Sequence, residues 1–307
     1  MFLRKSLERW TGIIENQYGK EKIVILITNE TGVIMQSLLE TCLFLPTYLN
    51  KEKLRDELKG RTILITGASS GIGETLAYYL ADQQCQLILV ARREEKLLAM
   101  KREIENKAAS VSIYSADLRN EEEMDGLLTF VHQLPNGLDI LVSNAGLSIR
   151  RSIQDSLDRY HDFTRTMAIN YFAPVKLLLS LIPLLEKSHG QVINISTVNA
   201  LLAPVPYFAA YQASKSAFDV WLRSAAPELK KAGIITSTLY LPLVRTPMIR
   251  PTAAYRNVPA MTPEQIARII SKLMYTKRKK YQPWWLIFGR LVSVFIRNLP
   301  DLSGKRK

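Results

Sequence analysis

The chain has 307 residues, of which 47% are apolar and 22% charged, which excludes a disordered polymer and allows one large α/β domain with extensions. Its net charge of +13 points to an anionic partner, such as a phosphorylated ligand, a nucleic acid or a membrane surface. Cys42, Cys85 and three scattered histidines have no ligand-type spacing, so no metal site is expected and the cysteines suit a reducing compartment.

Residues 1–58 read as an N-terminal extension of unassigned role. Within it IVILIT (23–28) has strand character, and VIMQSLLETCLFL (33–45) reads as an amphipathic or buried helix ending before Pro46. Glu8, Glu15 and Glu21 interrupt the start, so no signal-peptide pattern is present. Packing on the main domain and contact with a membrane or partner are both compatible with this stretch.

The pattern becomes regular at Gly60, and residues 59–276 read as the main domain. TILITGASSGIG (62–73) is a buried strand running into a glycine turn and a helix. Gly67, Gly71 and Gly73 permit a tight turn, close ligand approach and close helix packing, while Ser69, Ser70 and Ile72 complete a turn whose amides favour a phosphate. QLILVAR (86–92), VSIYSAD (111–117), LDILVSNAG (138–146), QVINIST (191–197) and IITSTLYLP (234–242) follow as strands alternating with helices. That order predicts a doubly wound parallel sheet of the Rossmann type.

Strand two ends in Ala91-Arg92-Arg93, where an NAD-binding unit would often place an acid against the ribose 2′-hydroxyl. A base there suits a 2′-phosphate, so NADPH is the expected cofactor, with Arg92 its first candidate ligand and Arg93 its neighbour. Asp117 at the end of strand three, followed by Leu118, can accept from an adenine amino group or cap the next helix. Asn144, Ala145 and Gly146 end another strand at the same edge.

Hydride transfer to a carbonyl needs an acid for the oxygen. A tyrosine is weak for this near neutrality, but a lysine four residues later shares its helical face and favours the phenolate. Tyr211 and Lys215 have that spacing, as do Tyr18 with Lys22 and Tyr275 with Lys279. Context selects Tyr211, which follows a strand ending in Ser196 and Thr197 and lies downstream of the glycine turn.

TGASSGIG, NAG, Asn170, the Ser196/Thr197 strand end and YQASK together resemble the short-chain dehydrogenase/reductase family over residues 60 to 250. The resemblance implies a catalytic tetrad of Asn170, Ser196 or Thr197, Tyr211 and Lys215. In it Asn170 would hold the water of a proton relay and Lys215 would also bind the nicotinamide ribose. Family spacing puts the hydroxyl one residue nearer the tyrosine than Thr197, so the loop carries an insertion, and aligning strand ends favours Thr197. NAGLSIRRSIQDSLDRYHDFTRTMAINYF (144–172) and LPLVRTPMIRPT (241–252) are similar to the bacterial fatty acyl-CoA reductases of this type. By that resemblance Val244 and Thr246 contact the nicotinamide carboxamide and diphosphate, and the substrate is a long-chain acyl thioester or a β-keto acyl relative. A catalytically silent cofactor-binding protein is a further alternative.

Arg150, Arg151, Arg159 and Arg165 either receive the phosphates of such a thioester or form solvated pairs with Asp155, Asp158 and Asp162. Residues 247–261 read as a substrate loop, in which Pro251, Ala253, Ala254 and Val258 line an acyl path, before a helix capped by Thr262 and Pro263. Residues 277–307 read as a basic and aromatic tail. PWWLIFGRLVSVF (283–295), flanked by KRKK and KRK, is too short for the roughly 20 apolar residues of a membrane span. Residues 283–298 therefore fit peripheral membrane contact, a helix closing the core, or a dimer contact. The overall expectation is a cytoplasmic homo-oligomeric enzyme, possible at the inner membrane face, with no nucleic-acid partner.

Overall fold

The computed structural model describes residues 39–250 and 252–298. The chain divides into two units, 1–45 and 46–307, and the strand and helix expected at 23–28 and 33–38 lie outside the described residues. Residues 39–43 of the first unit are helical.

The second unit is built on seven parallel strands: β1 (Thr62–Thr66), β2 (Gln86–Ala91), β3 (Ser110–Ser115), β4 (Ile140–Ser143), β5 (Gln191–Thr197), β6 (Ile235–Leu241) and β7 (Lys280–Tyr281), in the order β3-β2-β1-β4-β5-β6-β7. β1, β4 and β5 are buried along their whole length, as expected when helices cover both faces of a parallel sheet. One face carries α1 (Lys51–Leu58), α2 (Gly71–Leu80), α3 (Glu94–Ile104) and α8 (Pro263–Thr276). The other carries α4 (Glu121–His132), α6 (Ala173–Lys187) and α7 (Ala209–Lys231). The stretch Tyr160–Lys187 is long and apolar enough to cross a membrane by composition, but Leu177, Leu178, Leu181 and Leu185 are buried against the sheet.

The sequence order reverses direction between β1 and β4, so the crevice above their carboxyl ends is where a ligand binds in such sheets. β1, β4 and β5 all point their carboxyl ends at that crevice, which delivers the glycine turn, Asn144-Ala145-Gly146 and Ser196-Thr197 to one place.

Two boundaries differ from the sequence reading. Residues 51–58, assigned to the extension, form α1, whose Leu54 and Leu58 are buried and which packs on α8. Lys280 and Tyr281, assigned to the tail, pair with Thr238 and Leu239 as the last strand. Lys277 turns the chain there in a left-handed conformation (φ 54°), with its ammonium 2.8 Å from Glu57 and donating to Gln191 at 3.2 Å. The basic run is thus partly structural.

α9 (Leu286–Asn298) follows. Leu286 is buried against Val198 and Tyr240, and Ser293 accepts from the Ala203 amide at 3.1 Å. Ile287, Phe288, Leu291 and Val292 remain exposed. The helix closes part of the core on one side and presents an apolar face on the other.

Candidate active site

The glycine turn is shaped by backbone sterics. Gly67 (φ 67°) and Gly71 (φ 58°) occupy conformations that disfavour a side chain, and a Cβ on Gly73 would fall 2.5 Å from the Gly67 carbonyl. Ser70 makes no side-chain cap at the start of α2, and Gly67, Ser69, Ser70, Gly71 and Ile72 line a cavity of about 870 Å³. The Thr66 hydroxyl accepts from the amides of Asn144 and Ala145 at 3.0 Å each, and Asn144 Nδ2 donates to Thr66 O at 2.9 Å. Asn144 therefore braces the turn by hydrogen bonds to β1. The cradle of glycines, an uncapped helix start and a neighbouring Thr246 methyl against Gly71 fits a dinucleotide diphosphate.

At the far end of the cavity the two arginines after β2 behave differently. Arg93 donates to Ser69 through Nη2 at 2.9 Å (to O) and 3.0 Å (to Oγ), so it clasps the turn. Arg92 is 68% exposed with only a 3.9 Å approach to Asp117, and lines the cavity. Asp117 does not cap α4; Asn120 does, accepting from the Glu123 amide at 3.1 Å. The Asp117 carboxylate is instead gripped by Arg119 at 2.9 and 2.5 Å, and this hydrogen bonding outweighs burial in holding its pKa below the usual value. Leu118 supplies apolar lining beside it.

The other end of the cavity gathers Ser196, Thr197, Tyr211 and Lys215. β5 and α7 deliver them, and they sort by hydrogen bonding. Thr197 accepts from the Asn199 amide at 3.3 Å, and its hydroxyl lies near enough to Tyr211 to oppose the rise of the phenol's pKa. Ser196 is buried and its hydroxyl has no partner among the described residues. Burial raises the Tyr211 pKa to about 12, with Thr197 opposing and Tyr255 adding to the shift. Burial lowers Lys215 to about 8, and its Nζ donates to Ile195 O at 3.0 Å. Burial is the dominant cause at both residues, and the Lys215 Nζ is turned to a carbonyl.

Asn170 lies in a π-helical turn, Ala168–Phe172, between α5 (Tyr160–Met167) and α6. Such turns displace a helix's regular hydrogen bonds. Its Oδ1 accepts from the Leu147 amide at 2.9 Å, while Nδ2 donates to Leu147 O at 2.8 Å and Ser214 Oγ at 2.9 Å. The side chain thus joins the segment after β4 to α7. A Cβ on Gly146 would lie 3.0 Å from Asn170 Oδ1 and 3.4 Å from Lys215 Nζ, which accounts for the glycine of NAG.

From the segment that follows β6, Met248, Ile249, Ala254, Tyr255 and Val258 line the cavity. Pro251 and the Ala253 side chain, assigned to the acyl path, lie outside the described residues. Val244 forms a parallel bridge to Met261, and Arg245 and Met261 complete it with 2.9 Å amide bonds. Sequence reading missed Phe208, whose ring stacks on Tyr255 at 6.5 Å and lies 6.3 Å from Tyr211. Its only signal was an aromatic three residues before the tyrosine.

These geometries define a class: a parallel-sheet oxidoreductase fold with a dinucleotide cradle beside a tyrosine and lysine. The family profile described as short chain dehydrogenase matches residues 61–257, and the chain belongs to the short-chain dehydrogenase/reductase family. Within it the chain is similar to a fatty acyl-CoA reductase of Acinetobacter baylyi, 41% identical over 251 residues, covering 81% of this chain and 84% of the relative. It is also similar to a fatty acyl-CoA reductase of Mycobacterium tuberculosis, 39% identical, covering 74% of this chain and 78% of the relative. Among solved structures it resembles a metagenomic short-chain oxidoreductase in complex with NADP (TM-score 0.63, 28% identity, 73% of this chain and 97% of that one). A Sphingobium yanoikuyae short-chain dehydrogenase shares the fold (TM-score 0.67, 22% identity, 79% and 97% covered). The chain is an oxidoreductase of this family.

Proposed function

We propose that the chain reduces a long-chain acyl thioester to a fatty aldehyde with NADPH. The observation that carries this reading is the cavity itself. Its lining combines a glycine cradle flanked by Arg92, the group Tyr211, Thr197 and Lys215, and the apolar Met248, Ile249 and Val258. The similarity to two fatty acyl-CoA reductases supports the acyl substrate.

Bound NADPH supplies the hydride. Tyr211, whose pKa of about 12 keeps it protonated near neutrality, donates its proton to the carbonyl oxygen as carbon gains hydrogen. Thr197, which lines the cavity with Tyr211, would donate its one hydroxyl proton toward the reacting oxygen. The resulting hemithioacetal then collapses: the carbon–sulfur bond breaks, the hydroxyl proton passes to sulfur, and thiol and aldehyde leave. Lys215 and Asn170 hold α7, β5 and the 144–147 segment in register, and Lys215 would bind the nicotinamide ribose. Val244 and Thr246 line the same cavity and would contact the nicotinamide carboxamide and the diphosphate.

The same Tyr211 and Thr197 serve any carbonyl, so reduction of a β-keto acyl ester or thioester to the alcohol is the second reading. Incubating purified protein with NADPH and palmitoyl-CoA and trapping aldehyde tests the first. Aldehyde in proportion to NADPH oxidised is the expected result; turnover of a β-ketoacyl substrate without aldehyde replaces it with the second.

Arg92 is exposed and free to close on a 2′-phosphate, which supports NADPH over NADH. Arg92→Asp should raise KM for NADPH by about tenfold or more relative to NADH, the size of one lost charge-assisted contact. Equal changes for both cofactors would remove this assignment. We also include in the proposal peripheral contact with the inner membrane face through 283–298, where α9 exposes Ile287, Phe288, Leu291 and Val292. Homo-oligomer formation is proposed on the exposed Phe172, Leu179 and Val220 of the α6 and α7 region.

A further inference from the structure

The cavity is lined by two groups of arginines. Arg92, Arg93 and Arg119 follow β2 and β3, on one side of β1. Arg150 and Arg165 line the same cavity from the other side of β1, after β4 and on α5.

The four arginines of 150–165 divide by their partners. Asp162 is buried, its side chain 3% exposed, and accepts Arg151 and Arg159 on Oδ2 at 3.1 Å each. Burial alone would raise this carboxyl, but the surrounding cations hold it below its usual pKa. Arg151 also donates its amide to Tyr207 O at 2.8 Å, so Arg151 and Arg159 brace the loop. Arg165 reaches only the other oxygen, at 3.5 Å, which His161 approaches at 3.4 Å. Arg150 has no carboxylate partner among the described residues and lies 4.8 Å over the Tyr207 ring. Asp155 is bonded to Ser152 at 2.6 Å rather than to an arginine.

An arginine held over an aromatic ring is oriented without being neutralised, and its planar fork matches phosphate. The rings of Tyr255 and Phe208 run from the neighbourhood of Arg150 to Tyr211 in steps of 6.5 and 6.3 Å. A thioester whose carbonyl meets Tyr211 has two arms, one apolar and one phosphorylated on a CoA. The cavity offers both kinds of lining: Met248, Ile249 and Val258 are apolar, and Arg150 and Arg165 are cationic.

We infer that Arg150 and Arg165 form a phosphate-recognition subsite that selects a CoA thioester over a neutral acyl ester or ketone. The inference rests on the proposed acyl-thioester reading. In the test, kcat/KM is measured at saturating NADPH for palmitoyl-CoA and for palmitoyl-pantetheine, which lacks the phosphates, in wild type and in Arg150→Gln/Arg165→Gln. The double variant should lose about tenfold or more of the wild-type preference for the CoA thioester, through KM, and added salt should narrow that preference in wild type alone. A preference equal in the two proteins overturns the subsite. The single variants, checked by circular dichroism, carry the same comparison if the double variant does not fold.

Calorimetric titration of CoA into NADPH-loaded protein is read independently of turnover. If neither thioester is reduced but CoA binds wild type and binds the double variant about tenfold more weakly, the reaction is wrong and the subsite stands. No CoA binding by wild type overturns the subsite itself.

Discussion

Thr197 and Ser196 are neighbours at the end of β5, yet strand pleating turns their side chains to opposite sides. The Thr197 hydroxyl acts on the Tyr211 pKa, whereas the Ser196 hydroxyl is buried without a partner among the described residues. Thr197→Val keeps the shape and removes the hydroxyl, and should lower kcat by about 100-fold or more, as losing one preorganised donor does. Ser196→Ala removes an unsatisfied group and should change kcat by less than about threefold. A reversal of the two in steady-state assays would reassign the hydroxyl. The pairing of Tyr211 with Lys215 was legible because helical spacing is a local property of sequence. Their protonation was not, since burial by distant residues moves Tyr211 up and Lys215 down. The partition of the four arginines was equally illegible, because it depends on the burial of Asp162.

At the scale of elements, the β1–α2 turn is the most demanding piece of backbone. A methyl on Gly73 would meet the Gly67 carbonyl at 2.5 Å, and that carbonyl cannot yield without moving the turn. Gly73→Ala should cost about 1–3 kcal/mol of stability as overpacking. It should also weaken NADPH binding by more than about tenfold, seen as a smaller NADPH-induced rise in Tm. Retention of the full ligand-induced shift would show that the turn tolerates the change. This turn and the five other long strands were readable from their regular alternation with helices, with β1, β4 and β5 buried along their whole length. β7 was not: Lys280 and Tyr281 carry no apolar pattern, and their strand conformation is imposed by pairing with β6. Lysine on such an edge also discourages pairing with another chain.

At the scale of the molecule, α9 links a surface to the chemistry. Leu286 packs on Val198, the residue after Thr197, so deleting the helix would expose the core beside the site. Substituting its exposed face is the cleaner experiment. Ile287→Glu/Leu291→Glu should abolish flotation with anionic vesicles while the soluble protein keeps its Tm within a few degrees, because both side chains are exposed. Flotation equal to wild type would remove the membrane contact. The helix itself was visible in the sequence as aromatic and apolar residues at helical spacing. Which face was buried became clear only from the packing of Leu286.

The bridge between Val244 and Met261 has a consequence for how this enzyme can diversify. The two ends of the intervening segment are fixed to each other and to the sheet edge, so their closure does not depend on what lies between them. Adding residues to such a loop costs only about 0.6 kcal/mol per doubling of its length. The stretch 247–260 is therefore an exchangeable cassette: apart from Tyr255, which acts on Tyr211, its length and side chains can be rewritten to reshape the cavity while the sheet and the cradle stay as they are.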